Sequence, residues 1–332
     1  MKRNVLYSIL IAAFIIAAGF SVYFYQQAQA EDAKIAARVN SGEEIPQYHF
    51  TLIGEEVNHD YWRFVEEGAK TAEEDYDVFV EYKGPERSNP EEQLKLLDMA
   101  VQSKVDGIIV QALNEQFPPL INQAVEKGIP VITIDTNSSD NMAHTYIGTD
   151  NYMAGQLAGE ALVEDTDGEA VVGVLSGSFD NSLHEQRVKG FTDIVEQEEG
   201  IEVAAVEESN ISRVDVEEEA YNMLTANENI TAFYGTSSYN GVGIVAAARS
   251  LEKEEDMYVI TFDAIDENIE LLENGGIHAI VDQQPFEMGY ESVEKMLSII
   301  EGNTVEDDYH TDVTIIRNAD LPVGTNREDE TS

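Results

Sequence analysis

Two short stretches of the chain end in the same acid. Val131-Ile132-Thr133-Ile134-Asp135 returns as Val259-Ile260-Thr261-Phe262-Asp263, and each reads as a strand buried on both faces of a parallel sheet. An aspartate at the carboxyl end of such a strand stands where open α/β sheets bind ligands. Alone it serves as readily as a helix cap or a loop acid. As a pair in matching positions, Asp135 and Asp263 can accept hydrogen bonds from one small molecule. Arg187 offers a planar fork of donors to neutralise and orient them, unless it is a surface ion-pair residue. The sole tryptophan, Trp62, follows Tyr61 just past the first apolar strand. At the start of an amphipathic helix a Trp reads as core packing; beside a second aromatic at a strand's carboxyl end it reads as a flat cover for a ligand's C–H face.

Other chemistries lack their residues. The six histidines, at positions 49, 59, 144, 184, 278 and 310, show no H-E-x-x-H spacing. No G-x-S-x-G elbow, P-loop or G-x-G-x-x-G run occurs. A glycosidase needs two acids flanking a bond, and only the Asp135–Asp263 pair could be cast that way. The absence of cysteine excludes disulfides, thiolate metal sites and cysteine nucleophiles. No cofactor, metal or catalytic residue is implied.

Against 19 Lys and Arg stand 65 Asp and Glu, a formal charge of −46. Such a surface repels phosphate backbones and argues against nucleic-acid binding. The acids are spread over every segment without the D-x-[DN]-x-[DN]-G spacing of a calcium loop, which reads as a solvated face suited to salty or alkaline surroundings. At the amino end, Lys2 and Arg3 precede an uncharged, mostly apolar run from Val5 to Tyr25. At 1.5 Å per residue that run spans about 30 Å, the thickness of a bilayer's hydrocarbon core. Tyr23-Phe24-Tyr25 suits the interface, and the leading cations mark the cytoplasmic side. Ala28-Gln29-Ala30 also reads as a cleavage site. An uncleaved anchor, which holds the chain at the cell membrane, is favoured over a signal peptide, whose cleavage would free a soluble receptor; either places the rest of the chain outside the cytoplasm.

The remainder alternates strand and helix. Strands are expected at His49–Ile53, Asp77–Tyr82, Gly107–Gln111 and Pro130–Asp135, then at Ala170–Leu175, Glu202–Val206, Thr231–Tyr234, Tyr258–Asp263 and His278–Val281. Tyr61, Val65, Gly68, Ala69 and Ala72 fall on one helical face. Asn89-Pro90-Glu91-Glu92 reads as an N-cap, a proline at N1 and an acid at N3, ahead of an inward row of Leu94, Leu97 and Val101. Further helical patterns cover Met153–Val163, Glu185–Glu196, Val216–Leu224, Val242–Leu251 and Ile265–Leu272. The fold class is α/β: two similar doubly wound parallel-sheet lobes, each offering an acid at a strand end.

In unbroken order over residues 49–318, six motifs resemble the ribose-binding-protein type of periplasmic sugar receptor. They are Asn58-His59-Asp60-Tyr61-Trp62, the strand ending at Asp135, Ile147-Gly148-Thr149-Asp150-Asn151, Glu185 to Phe191, the strand ending at Asp263, and Asp282-Gln283-Gln284-Pro285. The resemblance implies that Tyr61 and Trp62 sandwich a sugar ring and that Asp135, Arg187, Asp263 and Gln283 hydrogen-bond its hydroxyls. It places His59, Thr136 and Ser237 in the pocket too, where the ribose pattern has Asn, Arg and Asn; Glu55 stands for a serine and Ile211 for an aromatic. These departures put ribose itself in question while keeping the chemistry of a polyol. The same fold serves lac-repressor-type regulators, but those open with a helix-turn-helix.

The resemblance further implies three crossings, near Thr149-Asp150, Gln283-Gln284 and Thr311-Asp312, and closure about them. One lobe would hold residues 49–149 and 284–311, the other 150–283 and 312–325, with an anchor or signal segment at 1–30, a linker at 31–48 and an acidic tail at 326–332. Two partners for such a receptor stay open: the membrane permease of an ABC-type importer, or a sensor histidine kinase or chemoreceptor.

Overall fold

Two sheets present their carboxyl edges to one another. The computed structural model describes residues 46–179, 181–209 and 212–321, and from Tyr48 onward these form one compact unit. The apolar run 5–25, most of the linker, Ile211 and the acidic tail lie outside the described residues. Among the described residues no helix is long and apolar enough to cross a membrane.

The chain first lays down β1 (His49–Ile53), α1 (Asp60–Tyr76), β2 (Phe79–Lys83), α2 (Pro90–Ser103), β3 (Gly107–Val110), α3 (Pro118–Glu126), β4 (Val131–Ile134) and β5 (Thr145–Gly148). It then builds α4 (Asn151–Asp165), β6 (Ala170–Ser176), α5 (Ser182–Val195), β7 (Ile201–Glu208), α6 (Arg213–Ala226), β8 (Ala232–Gly235), α7 (Asn240–Ser250), β9 (Tyr258–Phe262), α8 (Asp266–Glu273) and β10 (Ala279–Asp282). It returns through α9 (Pro285–Ile300) and β11 (Asp308–His310), and crosses once more to β12 (Thr314–Arg317). The sheets run β11-β5-β4-β3-β1-β2 and β12-β10-β9-β8-β6-β7. Every pairing is parallel except that of β10 with β12.

Parallel strands must be covered on both faces, and the period of two divides their side chains between two helical layers. Phe50, Leu52, Ile132 and Ile134 join α1 and α9 in one core, while Ile53, Ile108, Val110 and Val131 join α2 and α3 in the other. The second sheet repeats this arrangement. Val172, Val174, Tyr234 and Phe262 pack with α4 and α5; Leu175, Phe233, Val259 and Ile280 pack with α6 to α8. Each large side chain so buried contributes about 1.5–3 kcal/mol.

One helix pair in each lobe meets main chain to main chain. A Cβ on Gly68 would lie 1.9 Å from the Phe286 carbonyl oxygen, and one on Gly289 would lie 2.0 Å from that of Val65, so α1 and α9 cross on two glycines. Gly155 and Gly190 do the same for α4 and α5, with 2.2 Å to the Arg187 oxygen and 2.0 Å to that of Tyr152.

Most expected elements are present, with shifts that have local causes. Asp77 is the left-handed C-cap of α1 (φ 52°), so the second strand begins at Phe79 instead of Asp77. Asp135 and Asp263 take φ of 62° and 69° and therefore stand just past their strands. The Asn89 cap forms, its Oδ1 accepting from the Glu92 amide at 3.1 Å. In α2, Leu97 and Val101 are buried as expected and Leu94 only half-buried; the innermost polar group is Gln93, whose amide donates to the Gln111 carbonyl at 3.2 Å. Helices α3 and α9 and the short strands β5, β11 and β12 are additions to the expected elements.

Candidate functional site

The turns leaving the carboxyl ends of both sheets close around a cavity of about 50 Å³. The β1–α1 connection supplies Glu55 and His59, the first turn of α1 supplies Tyr61 and Trp62, and the residues just past β3 and β4 supply Gln111 and Asp135. From the second lobe come Asn181, Leu183, His184 and Arg187 around the start of α5, Ser237 and Ser238 after β8, and Asp263 after β9. Gln283 enters from the crossing after β10. Of the nine residues expected in the pocket, eight line this cavity. Thr136 is the exception: it is buried behind Asp135, to which its hydroxyl donates at 2.9 Å.

The first wall is organised around Asp135. Tyr61 Oη donates to Oδ1 at 2.7 Å, and Gln111 Nε2 donates to Oδ2 at 2.9 Å and to Thr136 Oγ1 at 3.1 Å. Burial and the facing acid push the Tyr61 phenol well above its usual range, so it stays a donor. The Tyr61 and Trp62 rings meet edge to face, 5.6 Å apart at 87°. Two perpendicular planes cannot both lie flat on one ring, so the expected sandwich becomes one face and one edge. His59 caps α1, its Nδ1 accepting from the Tyr61 amide at 3.2 Å. Burial lowers its pKa to about 4, which leaves the ring neutral.

The second wall is organised around Arg187. Its Nε donates to Asn151 Oδ1 at 2.8 Å, Nη1 to the Thr236 carbonyl at 2.9 Å, and Nη2 to Gln283 Oε1 at 2.7 Å. Its guanidinium lies 3.8 Å over the Phe262 ring, a cation–π contact. Gln283 Oε1 also accepts from Thr149 Oγ1 at 2.7 Å, and its Nε2 donates to Asp263 Oδ1 at 2.6 Å. Ser238 donates to the other oxygen of Asp263. Burial raises the Asp263 pKa, opposed by the Arg187 charge. His184 Nδ1 sits 2.9 Å from Thr236 Oγ1, and burial, then Arg187, lowers its pKa to about 3.

At the mouth the lobes touch directly. The His59 ring packs 4.5 Å from Tyr239, and Arg213 lies 3.8 Å over Tyr239. Arg213 Nη2 then reaches Glu267 Oε2 at 2.6 Å and, across the cleft, Asp60 Oδ2 at 3.6 Å. Among the described residues no cluster of His, Asp or Glu is arranged to hold a metal ion.

Several lining residues were not among those expected. Gln111 closes the expected strand Gly107–Gln111, so the rule that selects Asp135 selects it as well. His184 precedes Arg187 by one helical turn and shares its face. Glu55 is flagged only as a departure from the ribose pattern; its place in the wall comes from the fold of the β1–α1 turn.

A chain of this sequence and fold has counterparts. The sequence profile of the periplasmic binding protein domain matches residues 50–304. The ribose import binding protein of Escherichia coli is 23% identical over 231 residues, which cover 69% of this chain and 77% of the relative. Among solved structures, GanP, a glucose-galactose binding protein from Geobacillus stearothermophilus, is 45% identical with a TM-score of 0.81, over 83% of this chain and 99% of that one. The XylFII–LytSN complex contains a chain 32% identical with a TM-score of 0.78, over 82% and 99% of the two chains.

Proposed function

The chain belongs to the periplasmic binding protein family, as a sugar-binding protein of the ribose-binding type, and from that premise we propose that it captures a monosaccharide outside the cytoplasm for an ABC-type importer. The observation that carries this reading is the buried constellation of Asp135, Asp263, Arg187 and Gln283 against Trp62, in a cleft whose two walls come from different lobes. Carboxylates take a sugar's hydroxyl protons, the guanidinium and amides meet its oxygens, and the indole covers a C–H face. Each hydroxyl that leaves water unpaired would otherwise cost about 1–3 kcal/mol. The cavity is smaller than a sugar, so entry requires the lobes to part. Residues 49–149 with 284–311 would turn against 150–283 with 312–325 about the three crossings. The relatives are sugar-binding proteins of transport systems, and nothing in the cleft asks for bond breaking. The run 5–25 would tether the receptor to the cell membrane, as its length and flanking charges support.

A second reading keeps the sugar and changes the listener. The XylFII–LytSN complex, at 32% identity, favours a role in which the closed receptor docks on a membrane sensor.

The test is a titration with D-glucose, D-galactose, D-xylose and D-ribose, followed by calorimetry and intrinsic fluorescence. At least one sugar binds saturably, changes the emission of Trp62, and is recovered unchanged. Saturable heat with no change in intensity or wavelength would remove Trp62 from the site; no heat from any sugar would remove the reading.

A further inference from the structure

Glu55 lies at the carboxyl edge of β1 and faces the same cavity as Trp62, Gln111 and Asp135. The preceding residue lets it reach the wall: a Cβ on Gly54 would stand 2.7 Å from the Trp62 ring and 2.5 Å from the Tyr82 hydroxyl. Ser88, from the loop between β2 and α2, donates to Glu55 Oε1 at 2.5 Å and fixes the carboxylate. Beside it, the Gln111 amide donates to Asp135 and Thr136 and also stabilises the Glu55 carboxylate, while its Oε1 is buried without a hydrogen-bond partner. The first wall thus gathers acceptors: Gln111 Oε1 has no donor among the described residues, and the carboxylates of Glu55 and Asp135, with about four lone-pair sites each, can take a further one. The cavity's one cation, Arg187, is engaged on the opposite wall by Asn151, Thr236 and Gln283.

We propose that Glu55 is a further specificity-determining residue, accepting a hydroxyl hydrogen bond from the sugar next to the one accepted by Asp135, so that affinity rises with pH. The inference rests on the sugar-capture reading and deepens it. The ligand it selects carries two neighbouring hydroxyls that both donate toward the first lobe. A sugar lacking one of them, or presenting an ether oxygen there, leaves buried acceptors unpaired.

The pH dependence follows from what surrounds the carboxyl. Burial pushes Glu55 up to about 7; Ser88 and, less strongly, Gln111 oppose the shift, while Asp135 just past β4 and Glu56 beside it reinforce it. Tyr82 of β2 also faces it, a neutral phenol held far above its usual range by burial. Arg87 acts on Glu56 instead. Asp263 and Arg187 stand across the cleft, and His59 and His184, at about 4 and about 3, stay neutral near pH 7. A hydroxyl donated to Glu55 favours its charged form, so binding below about pH 7 must expel a proton. Affinity therefore falls about tenfold from pH 8 to pH 6, with up to one proton released per sugar at the lower pH.

The experiment is calorimetry with the best-binding sugar of the panel at pH 6, 7 and 8, in buffers of different ionisation enthalpy, on the wild type and on Glu55→Gln. The variant is isosteric and removes a half-buried charge, so it keeps the fold. The wild type shows the tenfold slope and proton release; Glu55→Gln shows neither and binds more weakly at pH 8. Sugar binding with a flat pH profile, or with the wild-type slope retained in Glu55→Gln, overturns this inference alone. Failure of every sugar at pH 8 overturns the sugar-capture reading with it.

Discussion

Asp135 and Asp263 occupy equivalent places and do different work. Both follow a buried strand of nearly the same sequence, both have left-handed backbones, and the amide of each donates at 2.9 Å to the neighbouring strand, at Ile147 and Val281. Their carboxylates then diverge. Asp135 is held by Tyr61, Gln111 and Thr136, all from its own lobe. Asp263 is held by Ser238 and by Gln283, whose carbonyl oxygen is shared between Arg187 and Thr149. One acid belongs to a preformed wall; the other is wired into the crossing between lobes. Equal backbone geometry does not imply equal coupling to motion.

The largest expected effect tests that difference. Asp135→Ala and Asp263→Ala should each lose about 1.5–3 kcal/mol of sugar binding, roughly ten- to a hundredfold. Combined with Gln283→Ala, the Asp263 variant should show a coupling of about 0.5–3 kcal/mol, while the Asp135 variant should be additive within about 0.5 kcal/mol. Equal coupling in both cycles would erase the distinction.

Acid stability sharpens the comparison, because each wall holds one neutral histidine. Both pKa values are depressed in the fold, to about 4 for His59 and about 3 for His184. Their contribution is full above the unfolded value near 6.5 and is lost as pH falls toward the folded one. Melting temperatures should drop below about pH 6, at a cost of at most about 1.4 kcal/mol per pH unit for each ring. His184→Gln should flatten that slope over a wider range than His59→Gln; the reverse order would contradict the burial assigned to the second wall.

The smallest effect belongs to the mouth. The Arg213–Asp60 contact is partly exposed and 3.6 Å long, so Arg213→Ala should change affinity by about 1 kcal/mol or less. The change should shrink at 1 M salt, where the screening length is about 3 Å. A salt-independent loss would mean that Arg213 acts through its packing on Tyr239.

The sequence made the two acids legible because both lie in strands buried on two faces, where composition is continuous and any polar end stands out. Trp62 packs in the core with Leu52 and Val65 and also lines the cavity, so neither position alone decides between its two readings. Thr136 was misplaced by one layer, since the left-handed turn at Asp135 sends it behind the acid. The edge strands β11 and β12 were not legible: three or four residues carry no period, and their pairing is set by a chain returning from the other lobe. Glu55 was visible as an oddity but its place in the cavity wall was not, because Ser88, Gly54 and Trp62 meet there only in three dimensions.

The paired glycines give the cleft its mechanics. Helix α9 starts two residues beyond Gln283, and α1, which carries Tyr61 and Trp62, is pressed on it backbone to backbone. Helix α4 starts two residues beyond Thr149, and α5, which carries Arg187, is pressed on it likewise. Main chains in contact have no rotamers with which to absorb a strain, and packed interiors transmit it. In the closure proposed above, each wall would be the short arm of a lever whose fulcrum is a crossing and whose long arm is the lobe's outer surface. A sugar held at the centre would then be read out at the periphery as an angle, with the shape of either lobe conserved.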